Sequence, residues 1–301
     1  MNPRSRLGLL QISLAGVLWG TGGLGVEIVR DHVPMSVLTI SAWRMAVAAL
    51  VLAAALLVVR RVGGVGRLLR ERPGHAALVG ISTAAYQALY FGSVVTVGVT
   101  VATVVSLGLA PVLLTVGEAV VARRTPDRGS LLVLVAALAG LVLVSTAGGL
   151  SSTGSDPLLG VLLAVGSGSA YAMTTAVGKP LTLVAEPLVL TTTTTTFGAL
   201  VLLPLGLLSP GVHVTGDPVA LGTLVYLGVL TMALAYGLYY AGLRTTIGSS
   251  AVIATLLEPV TAAVVAAIFL DERLGLLGIL GTALILAAVA GLGRKPAVPP
   301  G

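Results

Sequence analysis

Apolar runs of about 20 residues recur along the whole chain, and a run of that length crosses a bilayer as a helix. In hydrocarbon every backbone N–H and C=O must be satisfied within the protein, which leaves helices or a closed barrel. The runs do not alternate apolar with polar residues, so they predict helices rather than barrel strands. Composition agrees: 56% of the 301 residues are hydrophobic, 9% are charged, and mean hydropathy is +1.06. A soluble domain carries nearer to about 25% charge. Ten spans are expected, at about 8–27, 36–59, 74–96, 100–122, 129–147, 157–177, 187–208, 218–241, 248–270 and 275–293. Gly, Pro, Ser or charged residues separate them. Arg4 and Arg6 precede the first run as in a signal peptide, but the run continues to about Val26 and similar runs follow, so an uncleaved span is expected.

Lys and Arg in short loops set orientation. Ten spans place Arg4, Arg6, the five arginines from Arg60 to Arg72, Arg123, Arg124, Arg128, Lys179, Arg244, Arg294 and Lys295 on one side. Arg30 and Arg273 fall on the other, and Arg44 lies within span 2. That bias predicts both termini inside, in an inner or plasma membrane. It also accounts for the net charge of +6, which in a soluble protein would suggest nucleic acid; no nucleic-acid partner is expected here.

Two segments share a design. Ala251 to Arg273 reads AVIATLLEPVTAAVVAAIFLDER, and Val101 to Arg124 reads VATVVSLGLAPVLLTVGEAVVARR. Pro259 precedes Glu272 by 13 positions, as Pro111 precedes Arg124, at an offset of 148. Pro34 and Pro187 open spans 2 and 7 at an offset of 153, and Trp19 in span 1 falls near Tyr171 in span 6. These marks predict an all-α membrane protein of two five-helix repeats, residues 1–147 and 157–293. A polar linker (148–156) joins them, and a tail (294–301) follows on the inner side. An odd number of spans per repeat inverts the second copy, an arrangement whose binding site lies near the midplane between repeats.

Glu258, beside Pro259 near the middle of span 9, is the sharpest candidate. A carboxylate at mid-depth costs roughly 2.5–3.5 kcal/mol on insertion scales, so it faces a partner or a wet cavity. It either binds a ligand ammonium, or takes up a proton, or fixes packing at the proline bend. Arg44 lies eight residues into span 2 and keeps its charge. It either holds a ligand carboxylate, pairs with Glu27 or Glu258, or snorkels to the interface. Tyr86, Gln87 and Tyr90 in span 3, and Tyr236, Tyr239 and Tyr240 in span 8, put tyrosines at mid-depth in corresponding helices, away from the interfacial belt. The expected wall is Glu258, Arg44, Tyr86, Gln87, Tyr90, Tyr239 and Trp19, with Glu258 as the proton carrier; such a wall suits a small zwitterion or aromatic compound. Thr191 to Thr196 covers every face of span 7, so those hydroxyls are expected to bond the preceding turn.

Catalytic chemistry finds little material. The chain has no cysteine, no HExxH, no aspartate within a span and three scattered histidines, His32, His75 and His213. No enzyme activity, metal or cofactor is expected.

Leu18-Trp19-Gly20, Pro34 with Trp43-Arg44, Leu109-Ala110-Pro111, and Leu257-Glu258-Pro259 followed by Leu270-Asp271-Glu272-Arg273-Leu274 come in an order and spacing that resembles the drug/metabolite transporter superfamily, specifically its ten-helix EamA-like members. The resemblance covers about residues 8–293; Arg123-Arg124 depart from it where the family often has Gly-Glu. It implies a secondary transporter exporting small metabolites such as amino acids by alternating access through a central cavity. Spans 1–4 and 6–9 would build that cavity, and spans 5 and 10 would stand at the periphery or in a homodimer contact. The expected partners are a small-molecule substrate and the lipid bilayer. The alternative is a passive channel, which calls for a charge ring or an open polar file.

Overall fold

The computed structural model describes residues 3–147, 156–269 and 275–292. Ten apolar helices follow one another: span 1 (Pro3–His32), span 2 (Val37–Val58), span 3 (Pro73–Val97), span 4 (Val99–Ala122), span 5 (Arg128–Ala147), span 6 (Pro157–Val184), span 7 (Pro187–Leu208), span 8 (Pro218–Leu243), span 9 (Gly248–Phe269) and span 10 (Leu276–Leu292). Span 10 has 17 described residues, about 25 Å at the α-helical rise. There is no strand among the described residues. The polar linker before Asp156, the Leu270–Leu274 stretch and the C-terminal tail lie outside them.

Contacts between spans obey the duplication. Span 3 packs on span 6 as span 1 packs on span 8, and span 4 on span 6 as span 9 on span 1. Span 3 meets span 7 as span 8 meets span 2, while spans 2 and 7, 4 and 9, and 5 and 10 meet their own counterparts. Exchanging each span of the first five for its partner in the second leaves this pattern unchanged. Because each copy crosses the bilayer five times, the copies run in opposite senses. Loops therefore alternate between two faces. Among the described residues, the upper face carries the loops after spans 1, 3 and 7. The lower face carries the start of span 1 and the loops after spans 2, 4, 6 and 8.

Lipid offers apolar surface as good as another helix, so association depends on close backbone approach and polar contacts. Ser93 Oγ donates to Gly160 O (2.8 Å), Ser106 Oγ to Ala164 O (3.2 Å) and Ser167 Oγ to Tyr86 O (3.0 Å), tying span 6 to spans 3 and 4. Spans 5 and 10 pair at the periphery. A Cβ on Gly140 would stand 2.7 Å from Gly281 O, and one on Gly281 2.7 Å from Gly140 O. Gly140→Leu is therefore expected to cost at least about 1–3 kcal/mol by overpacking. Thermal melting checks this, and the melting point falls while spans 1–4 and 6–9 stay assembled.

Several boundaries differ from expectation, each for a local reason. Span 6 continues to Val184 through Gly178-Lys179-Pro180, a sequence that reads as a stop. Thr182 Oγ1 donates to Lys179 O (2.7 Å), and Lys179 is anchored to the loop before span 9. Arg61 precedes a short amphipathic helix, Val62–Glu71, on the lower face, where only a loop was expected. The six threonine hydroxyls all donate to carbonyls four residues back, from Thr191 to Pro187 O (2.7 Å) through Thr196 to Thr192 O (2.8 Å).

Span 4 runs unbroken from Val99 to Ala122 through Pro111. Span 9 breaks instead, into Gly248–Ala254 and Leu257–Phe269. Pro259 has no N–H to offer Thr255 O, and the Glu258 N–H takes that carbonyl at 2.9 Å in a tighter turn.

Candidate functional site

Three irregular helices surround one cavity. Span 1 is interrupted at Thr21, whose hydroxyl donates to Leu18 O (2.7 Å). Span 8 carries a π-helical stretch, Leu227–Leu234, a distortion that recurs at functional sites. Span 9 is broken just before Glu258. Gly20 lets spans 1 and 9 touch there: a Cβ on it would stand 2.5 Å from Glu258 O.

The cavity they enclose has a volume of about 690 Å³. Its walls come from both repeats: Trp19 of span 1, Arg44 of span 2, Tyr86, Gln87 and Tyr90 of span 3, Tyr171 of span 6, Met232 and Tyr236 of span 8, and Glu258 of span 9. The lining runs from these mid-depth residues to the exposed Arg30 and Val99 near the upper face. Below it, Tyr171 meets Thr255 (2.8 Å) and Tyr239 meets Thr175 (2.7 Å) in a fully packed layer. The cavity is thus open above and sealed below.

Two aromatic walls face it. Tyr86 stacks on Tyr171 with ring centroids 5.0 Å apart and 29° between planes, and Tyr90 stands 6.3 Å from Tyr86 with its hydroxyl on Thr103 (2.8 Å). Opposite, Trp19 tilts against Tyr236 at 5.0 Å. Arg44 Nη2 donates to Thr231 Oγ1 (3.1 Å) and approaches Met232 Sδ (3.6 Å). Its buried Nε has no partner, and both amide atoms of Gln87, a side chain only 6% exposed, also have none. Glu258 sits in the first turn of the second half of span 9, where the helix dipole favours a carboxylate. Neither Glu27 nor Glu258 forms a direct ion pair with Arg44, although Arg44 and Glu258 attract each other at longer range. Arg44 and Glu258 face one cavity with no direct contact between them.

Six of the seven expected wall residues line this cavity: Glu258, Arg44, Tyr86, Gln87, Tyr90 and Trp19. Tyr239 does not. It is fully buried one layer behind, 5.6 Å from the Trp19 ring, and Tyr236 takes its place. Both follow the π-helical stretch in one α-helical segment, turned so that Tyr236 reaches the cavity and Tyr239 packs behind it. Tyr171 was also missed, although its correspondence with Trp19 was visible as a repeat mark.

The sequence profile of the EamA-like transporter family matches residues 6–146 and again 158–294, one match for each half of the cavity wall. The chain belongs to the EamA-like transporter family. An "Uncharacterized transporter YwfM" from Bacillus subtilis (strain 168) is 31% identical over 219 residues, which cover 73% of either chain. A solved crystal structure shares the fold with a TM-score of 0.79, over 94% of this chain and 95% of that one, at 18% identity. This EamA-like chain is therefore a multi-pass membrane transporter built of two repeats. Among its described residues no group of three or more His, Cys, Asp or Glu could hold a metal ion.

Proposed function

We propose that the protein is a secondary transporter that exports small zwitterionic or aromatic metabolites, amino acids among them, by alternating access through the central cavity. The observation that carries the reading is a pocket shared by both repeats, closed at one face, holding an unpaired carboxylate and an unpaired guanidinium between aromatic walls. A substrate carboxylate would take the fork of Arg44 and an ammonium would take Glu258. The amide of Gln87, with nothing of its own to bond, would orient the head group. The termini and the arginine-rich Val62–Glu71 helix would lie inside by the charge bias, so the sealed face would be cytoplasmic and the open one external. Glu258 would carry a proton in one direction and release it in the other.

Thermal-shift screening of the purified protein against amino acids, amines, nucleobases and drugs, followed by counterflow in proteoliposomes, tests the reading. Stabilisation by one chemical class and saturable flux accelerated by trans substrate are the expected results. Flux that never saturates would overturn it in favour of a channel. We place a homodimer contact on the outer faces of spans 5 and 10, where Leu132, Val135, Ile279 and Leu280 are exposed. Self-crosslinking of a Leu132→Cys variant in the bilayer reports it, and exclusively monomeric protein rules it out.

A further inference from the structure

Beneath the cavity, the loop between spans 8 and 9 is held at both ends by opposite charges from other helices. At the start of span 9, Ser249 N donates to Glu118 Oε1 at 3.0 Å and Ser249 Oγ donates to Glu118 Oε2 at 2.5 Å. Glu118 belongs to the last turns of span 4. At the end of span 8, Lys179 Nζ donates to Leu243 O (3.5 Å) and to Thr246 O. Lys179 belongs to span 6, and it and Glu118 attract each other across the seam. Each charge suits its end: a helix start presents bare N–H donors and favours an anion, while a helix end presents bare carbonyls and favours a cation. Gly248 keeps the contact tight, since a Cβ there would stand 3.0 Å from Glu118 Oε1.

The duplication supplies the comparison at the other face. With the offset of 148 that relates spans 4 and 9, Glu118 corresponds to Ala266 and Ser249 to Val101. With the offset of 152 that relates Trp19 to Tyr171, Lys179 corresponds to Glu27. Ala266 lines the open cavity, together with Val99 and Thr100 at the start of span 4. An alanine offers nothing to the N–H groups there, and a carboxylate at 27 would repel the carbonyls that a lysine binds. The lower face is pinned shut by charge-assisted hydrogen bonds, and the two positions that correspond to Glu118 and Lys179 on the upper face carry no matching charge.

We propose that Glu118 and Lys179 form a latch, made in only one of the two states of the transport cycle, that sets the upward-open form as the resting state. The proposal rests on the alternating-access reading and names the residues that bias it. Substrate or protons must break the Glu118–Ser249 contact for the lower face to open. Once it breaks, Ala266 and Glu27, which stand at the corresponding positions, cannot remake it above. The protein therefore returns by itself.

The absence of native cysteine makes the test direct. Two single-cysteine reporters are placed in the full chain in nanodiscs, without substrate. Leu114→Cys lies buried beside Gly248 in the sealed layer, and Ala266→Cys lies on the open wall. In the parent protein a hydrophilic maleimide modifies the second and spares the first. Adding Glu118→Gln is expected to raise the labelling rate at Leu114→Cys about tenfold and to lower that at Ala266→Cys, the shift expected from losing a charge-assisted contact present in one state only. Glu118→Asp, with Ser249 intact, should partly restore the parent ratio. Unchanged rates at both sites overturn the proposal. So does a rise at both, which would mean that Glu118 merely holds the fold together. Because no substrate is present, failure of the substrate assignment leaves these rates untouched, and failure of the latch leaves binding in the cavity untouched.

Discussion

A Glu258→Gln variant is expected to keep exchanging substrate across the bilayer while losing proton-driven accumulation. Among the described residues Glu258 is the one carboxylate on the cavity wall, it forms no direct ion pair, and it stands on the broken helix between the repeats. Such a group can be loaded with a proton from one face and unloaded to the other as the cavity turns over. Glutamine keeps the shape and the hydrogen-bonding capacity but cannot gain or lose the proton. With one proton per substrate, a gradient of about one pH unit sustains about a tenfold concentration ratio, since about 1.4 kcal/mol corresponds to both. In proteoliposomes under that gradient the parent should approach this ratio and the variant should settle at parity, while counterflow persists in both. A variant that still accumulates substrate in a pH-dependent way removes Glu258 from the coupling.

Arg44→Met is expected to weaken binding of carboxylate-bearing substrates on the order of 100-fold. Thr231 holds Nη2 in place, Nε has no partner, and neither Glu258 nor Glu27 forms a direct ion pair with the guanidinium, so a ligand carboxylate can take it. Methionine preserves volume and flexibility at the site. The discriminating measurement is calorimetric titration of an amino acid and of the matching amine that lacks the carboxylate. Loss for the acid with little change for the amine supports the assignment. Equal loss for both means that Arg44 supports the wall rather than the substrate.

Much of this architecture was legible before any coordinates, because bilayer physics ties apolar run length to helix. The duplication was legible in the Pro111 and Pro259 segments, and the inter-span contacts repeat it. Candidate wall residues were legible for a related reason: an uncompensated Glu258 or Arg44 within an apolar run demands a partner or a cavity. Other features depended on geometry that composition does not encode. The break in span 9 and the unbroken span 4 share a proline, and what differs is the turn that the Glu258 N–H makes with Thr255 O. That Tyr236 lines the cavity while Tyr239 lies buried behind it depends on how span 8 is turned against its neighbours. Glu118 and Lys179, read alone, are charges near helix ends that water would solvate. Only their placement against Ser249 and the Leu243 and Thr246 carbonyls shows that span 4 of the first repeat and spans 6, 8 and 9 of the second converge there.

The central claim is that solute crosses through the cavity between the repeats, and blocking that space tests it most directly. Ala263 lines it one turn beyond Glu258. Counterflow is measured in proteoliposomes carrying Ala263→Cys, before and after the thiol is capped with a bulky maleimide. The account predicts saturable counterflow before capping and none after it. Undiminished counterflow through the capped protein would contradict it.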